Sequence, residues 1–162
     1  MLRLMFDSNG YDALADNPLG LANLRSLVHQ SEVEVLATHV QEGEISAISD
    51  VSKREALLSI CRTLDAQIST DGAVWNVSKW NVSKWNEAKW GPESGDVSME
   101  KIHSVSSNQG EDALIAATAS REVDVLVTDD KRLRNRIAAQ GSTIGVWTFA
   151  ELLRYMDGLT PP

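Results

Sequence analysis

Short apolar runs alternate along this chain with segments whose apolar residues recur every three or four positions. Leu2 to Phe6 is an apolar run with one arginine, which predicts a buried strand ending at the turn-forming cluster Asp7-Ser8-Asn9-Gly10. Leu19, Leu21, Leu24, Leu27 and Val28 carry helical spacing and predict a helix over 19–30. Val33 to Ala37 predicts the second strand, followed by a helix from about Val40 with Ile45 and Ile48 inward. Ser52-Lys53-Arg54-Glu55 reads as a capping box ahead of Leu57, Leu58, Cys61 and Leu64, so a helix is expected to about Asp65. A short strand is expected within Gln67 to Val74, and a short helix over Asp96 to Val105. Further on come a helix from Glu111 to about Arg121, a strand from Val123 to Thr128, and a helix from Lys131 to Gln140 with Leu133, Ile137 and Ala138 inward. Thr143 to Trp147 predicts the last strand, and Thr148-Phe149-Ala150-Glu151 is a second capping box opening a helix through Tyr155. Strands alternating with helices throughout predict a single α/β domain over 1–162, three-layered α/β/α around a mostly parallel sheet.

One stretch departs from both periods. Asn76-Val77-Ser78-Lys79-Trp80 is repeated as Asn81-Val82-Ser83-Lys84-Trp85, with a looser third copy at 86–90. With Trp75, four of the five tryptophans stand five residues apart, a period that fits neither a helix nor one face of a strand. The repeat predicts an inserted loop at about 75–95, too short for a solenoid. Trp80, Trp85, Lys79 and Lys84 would suit base stacking and phosphate contact. Covering a sheet edge or a dimer contact is the commoner use of such aromatics.

Composition narrows the function. A chain of 162 residues has room for a proper core, and 43% hydrophobic and 23% charged residues are ordinary for a globular protein. The single cysteine, Cys61, excludes an internal disulfide and an all-cysteine metal site, and its apolar surroundings mark it as a buried thiol. No apolar run approaches a membrane span and the N-terminus does not read as a signal peptide, so a cytoplasmic protein without a membrane partner is expected. A net charge of −8 argues against passive nucleic-acid binding, unless some of the acids hold cations that reverse the local sign. No covalent triad and no Gly-rich phosphate loop stand out.

The acids themselves fall at telling places. Asp7 ends the first strand, Glu42 or Glu44 follows the second, Glu111 and Asp112 open a helix, and Asp129 or Asp130 ends a later strand. Ligands of open α/β sheets bind at the carboxyl ends of strands. Three or four carboxylates there are the oxygen donor set that hard divalent cations need for phosphodiester cleavage. Each acid also has a plain structural use, as a helix cap, a turn former or solvated helix surface. Glu42 and Glu44 are two apart and cannot share a helix face. Arg132 and Arg134, in the helix after the last of these acids, would suit an RNA backbone, though a solvated face is the default.

Phe6-Asp7-Ser8-Asn9, the acid-bearing segment 38–48, Glu111-Asp112-Ala113-Leu114-Ile115-Ala116-Ala117-Thr118-Ala119 and Val125-Leu126-Val127-Thr128-Asp129-Asp130 resemble, in order, the four motifs of PIN-domain nucleases, a family that includes the VapC-like toxins of toxin–antitoxin pairs. The resemblance spans roughly 2–155 and is most specific in the third and fourth motifs. It implies a Mg²⁺- or Mn²⁺-dependent ribonuclease acting on single-stranded RNA and leaving a 5′-phosphate and a 3′-hydroxyl. The implied ligands are Asp7, Glu44, Asp112 and Asp130, with Asp129 as an extra acid and Ser8, Asn9, Thr128 and Glu42 in support. It also implies an antitoxin protein and a homodimer as partners. Gly10 departs from the pattern, where an apolar residue is more usual, and the tryptophan insert is foreign to the compact toxins. The rival expectations are a catalytically silent module that binds RNA or protein, and a metal-dependent DNA nuclease or phosphatase using the same acids.

Overall fold

In the computed structural model, residues 1–68, 110–139 and 143–158 are described, apart from the side chains of residues 111–113, 136 and 139. The expected strand at 67–74 beyond Ile68, the expected helix at 96–105 and the tryptophan repeat with Lys79, Trp80, Lys84 and Trp85 lie outside the described residues.

The apolar runs form five strands: β1 (Leu2–Phe6), β2 (Val33–Ala37), β3 (Asp65–Gln67), β4 (Val125–Val127) and β5 (Gly145–Trp147). Seven described helices accompany them: α1 (Ser8–Ala15), α2 (Pro18–His29), α3 (His39–Ser46), α4 (Val51–Leu64), α5 (Gly110–Glu122), α6 (Lys131–Ala139) and α7 (Phe149–Met156). The strands form one sheet in the order β3-β2-β1-β4-β5, and every neighbouring pair is parallel. The chain winds outward from β1 to β3, then returns to the other side of β1 for β4 and β5. The winding therefore reverses between β1 and β4, and the crevice at such a switch point is where α/β sheets bind ligands.

A parallel sheet must be covered on both faces, because its connections place helices there. Successive side chains alternate accordingly. Leu4, Phe6, Val33, Val35, Val125 and Val127 enter one core with residues of α1, α2, α4 and α7. Met5, Leu36 and Leu126 enter the other, against Leu114, Ile115, Ala119, Leu133 and Ile137 of α5 and α6. Helix α3 belongs to both, with Ile45 in the first core and Val40 in the second. The architecture is the expected three-layer α/β arrangement.

Several boundaries differ from expectation for local reasons. Asp7 to Gly10 is not a free turn: Asp7 is the N-cap and the helix begins at once with Ser8. The cap of α4 is Asp50, whose carboxylate accepts the Lys53 N–H at 3.0 Å, so the cap stands two residues before the Ser52 that the sequence suggested. Strand β3 follows α4 without a loop, beginning at Asp65. Ala138 is exposed, because Leu133 and Ile137 already occupy the inward stripe of α6. The capping box at Thr148 and Glu151 forms as read, and its hydrogen bonds hold the Glu151 carboxyl below its ordinary value.

Candidate active site at the carboxyl edge of the sheet

The crevice between β1 and β4 is closed by hydrogen bonds around Asp7. The Asp7 N–H donates to the Val127 carbonyl at 3.1 Å, continuing the ladder past the end of β1. Asp7 is buried, 5% exposed as a residue, with Oδ1 accepting the Gly10 N–H at 2.8 Å and Oδ2 accepting the Thr128 hydroxyl at 2.5 Å. Thr128 in turn accepts the Asp130 N–H at 3.1 Å. A residue near the start of the chain and one after β4 are thus fixed to each other. Gly10 has a steric reason here: a Cβ would stand 2.7 Å from the Phe6 ring, so the apolar residue usual in the resembling family would displace it.

Helix α3 is anchored to the same place. The Gln41 carbonyl oxygen accepts from the Thr38 N–H at 2.9 Å and the Thr38 hydroxyl at 2.6 Å, while its amide donates to the Phe6 carbonyl at 3.1 Å. Gln41 and Thr38 are fully buried, so this network sets where α3 leaves the end of β1. Glu44 is three residues further on and accepts a hydrogen bond from the Ser8 hydroxyl of α1. Glu42 stands some 200° around the helix from Glu44 and does not share its face.

The result is a cavity of about 330 Å³ lined by Asp7, Ser8, Asn9, Glu44 and Asp130, with Asp12, Ile45, Ile48 and Lys53 completing its wall. Five expected site residues, from the segments that follow β1, β2 and β4, meet there. Asp130 is held by the first turn of α6, its Oδ1 accepting from the Arg132 N–H at 2.7 Å and the Leu133 N–H at 3.3 Å. Asp129 goes elsewhere: its Oδ1 accepts the Phe149 N–H at 3.2 Å and ties the end of β4 to α7. Glu42, Asp129, Arg132 and Arg134 do not line the cavity. Arg132 is exposed on α6, and Arg134 faces Glu151 of α7. Asp112 lies in the first turn of α5, which packs against α3, but its side chain is among those not described.

The sequence did not point to Asp12 and Lys53. Their signal lies only in spacing, Asp12 being one turn beyond Ser8 on the helix that Asp7 caps. Gln41 was missed for a similar reason, since a buried amide looks like any polar helix residue until its partners are known.

An all-oxygen donor set of Asp7, Glu44 and Asp130 suits a hard cation. As they stand, no three His, Cys, Asp or Glu side chains among the described residues are close enough to hold a metal ion. Among the described residues no helix is long and apolar enough to cross a membrane. No protein-family model matches the chain, and a search of curated proteins finds no significant relative.

Proposed function

We propose that this cavity is the active site of a metal-dependent ribonuclease, in which Asp7, Glu44, Asp130 and Asp112 hold Mg²⁺ or Mn²⁺. The observation that carries the reading is the meeting of Asp7 at the end of β1, Glu44 on the helix that follows β2 and Asp130 at the start of the helix after β4, in one cavity at the sheet's switch point. The toxin role and an antitoxin partner are proposed on the motif resemblance alone.

A bound divalent ion would supply charge to polarise the phosphodiester and would ease deprotonation of a water nucleophile. The side chains supply position. Asp7 is fixed from both sides by Gly10 and Thr128, so its carboxylate does not swing as substrate enters. Ser8 orients Glu44, and the first turn of α6 orients Asp130. Ile45 and Ile48 give the wall an apolar side, which limits water around the reacting phosphate.

Purified protein incubated with single-stranded RNA and single-stranded DNA tests this, with Mg²⁺, with Mn²⁺ or with EDTA. RNA cleavage that needs metal and fails in EDTA is the expected result. Cleavage of DNA alone, or release of phosphate from monoesters alone, favours the rival nuclease or phosphatase. RNA binding without cleavage favours the silent module.

A further inference from the structure

Four carboxylates line the cavity, those of Asp7, Asp12, Glu44 and Asp130, and among the described lining residues Lys53 is the one cation. Lys53 stands in the first turn of α4 and reaches to α1, where its Nζ lies 2.9 Å from Asp12 Oδ1. Both side chains are partly open to solvent, 49% and 37% exposed, and an ion pair of that kind contributes little to folding. The hydrogen bond and charge of Asp12, then the charges of Asp16 and Asp50, hold Lys53 firmly in its ammonium form. A phosphodiester entering a wall of acids meets repulsion that a local cation must offset. An ammonium is a compact charge with three rotatable donors, and it can change partner without rebuilding the helix that carries it.

We propose that Lys53 is the phosphate-contacting residue of this site, and that Asp12 positions it until the phosphate of a single-stranded oligonucleotide takes the carboxylate's place. The proposal rests on the cavity being a nuclease site. Asp12 keeps the ammonium at the cavity wall when no substrate is present. On binding, the lysine contacts a phosphate oxygen and leaves Asp12 to solvent.

The test is fluorescence anisotropy with a short fluorescein-labelled single-stranded RNA in Ca²⁺ over a range of salt, beside steady-state cleavage in Mn²⁺. Lys53→Gln is expected to raise Kd and KM roughly fivefold to tenfold, to leave kcat within about twofold, and to reduce the salt slope by about one contact. Lys53→Arg is expected to restore most of the affinity, and Asp12→Asn to tighten binding severalfold. Arg62→Gln, at the exposed far end of the same helix, changes net charge equally and is expected to shift Kd by less than about twofold. Thermal melting of each variant checks that the fold is intact. If the wild-type enzyme cleaves RNA while Lys53→Gln matches Arg62→Gln in Kd and salt slope, the lysine contact is wrong and the nuclease stands. If the wild type binds RNA through Lys53 and cleaves nothing, the contact stands and the nuclease reading falls. If it neither binds nor cleaves, both fall.

Discussion

Helix α1 has an aspartate on either side of it, and the two are treated in opposite ways. Asp7, before its first turn, accepts a backbone N–H and a hydroxyl at a helix N-terminus. Such donors favour a charged oxygen. Asp65, at the start of β3, meets Tyr11 of α1 and Cys61 of α4 instead, and the Tyr11 hydroxyl donates to its Oδ2 at 2.8 Å. No backbone donor reaches Asp65 Oδ1, which is buried without a hydrogen-bond partner. Burial therefore pushes its carboxyl up to about 7, although the hydrogen bonds from Tyr11 and Cys61 pull the other way. The same setting pushes the Cys61 thiol up to about 12 and the Tyr11 hydroxyl well above its ordinary range, in each case mainly by burial. What separates the two aspartates is the kind of donor, a backbone N–H and a hydroxyl at Asp7 against the side chains of Tyr11 and Cys61 at Asp65, and the opening of Asp7 to the cavity.

The largest expected effect tests the buried member of the pair. Asp65 is ordinarily a carboxylate above pH 3.8, and in the fold it keeps its proton to about pH 7. The folded state thus binds more protons than the unfolded state between these values, and stability falls as pH rises from about 4 to about 7. At about 1.4 kcal/mol per tenfold the loss is on the order of 4 kcal/mol. Urea unfolding at pH 5 and pH 8 is expected to show about 2.5–3 kcal/mol of this loss in the wild type, the part that falls above pH 5, and Asp65→Asn to remove most of it. A wild type and an Asp65→Asn variant with the same pH dependence would remove the distinction between the two sites.

Next in size is the charge of Asp7. Asp7→Asn keeps the N-cap through its one amide oxygen but turns an N–H₂ toward Thr128, which must then accept instead of donate, so stability should fall modestly, by about 1 kcal/mol, while RNA cleavage falls at least about a hundredfold. Asp7→Ala loses both hydrogen bonds and is expected to cost a further ~2–3 kcal/mol in urea unfolding. Tyr11→Phe strips Asp65 of a donor that lowers its pKa, so the pH window of stability loss should extend upward, at a cost of about 1–2 kcal/mol. The smallest effect separates the two glutamates of α3. Glu44→Gln should lower cleavage roughly tenfold or more, whereas Glu42→Gln should leave it within about twofold, because only Glu44 lines the cavity.

Much of this was open to sequence reading because a buried parallel strand announces itself as an apolar run, and the residue that ends it is already at the carboxyl edge. β1 and β2 were legible to the residue. The motif resemblance preferred Glu44 to Glu42 and Asp130 to Asp129 as metal ligands, and of these four acids Glu44 and Asp130 line the cavity. What was not legible depends on which helices pack together. Lys53 meets Asp12 only because α4 packs on α1, and Asp65 meets Tyr11 for the same reason. The hydrogen bond between Thr128 and Asp7 spans 121 positions and follows from the sheet order, which no local pattern encodes. The use of Gln41 as a clamp on the end of β1 is hidden likewise, since its partners come from two strand ends.

The most direct test of the central claim is Mn²⁺ binding followed by electron paramagnetic resonance, in which free Mn²⁺ gives the signal. The wild-type protein is expected to deplete that signal with a saturable site. Asp7→Asn, Glu44→Gln, Asp112→Asn and Asp130→Asn are each expected to weaken the site at least about tenfold, with each variant still folded by thermal melting. Equal Mn²⁺ affinity in the wild type and all four variants, or no saturable binding in the wild type, would contradict a metal site at the carboxyl edge of the sheet.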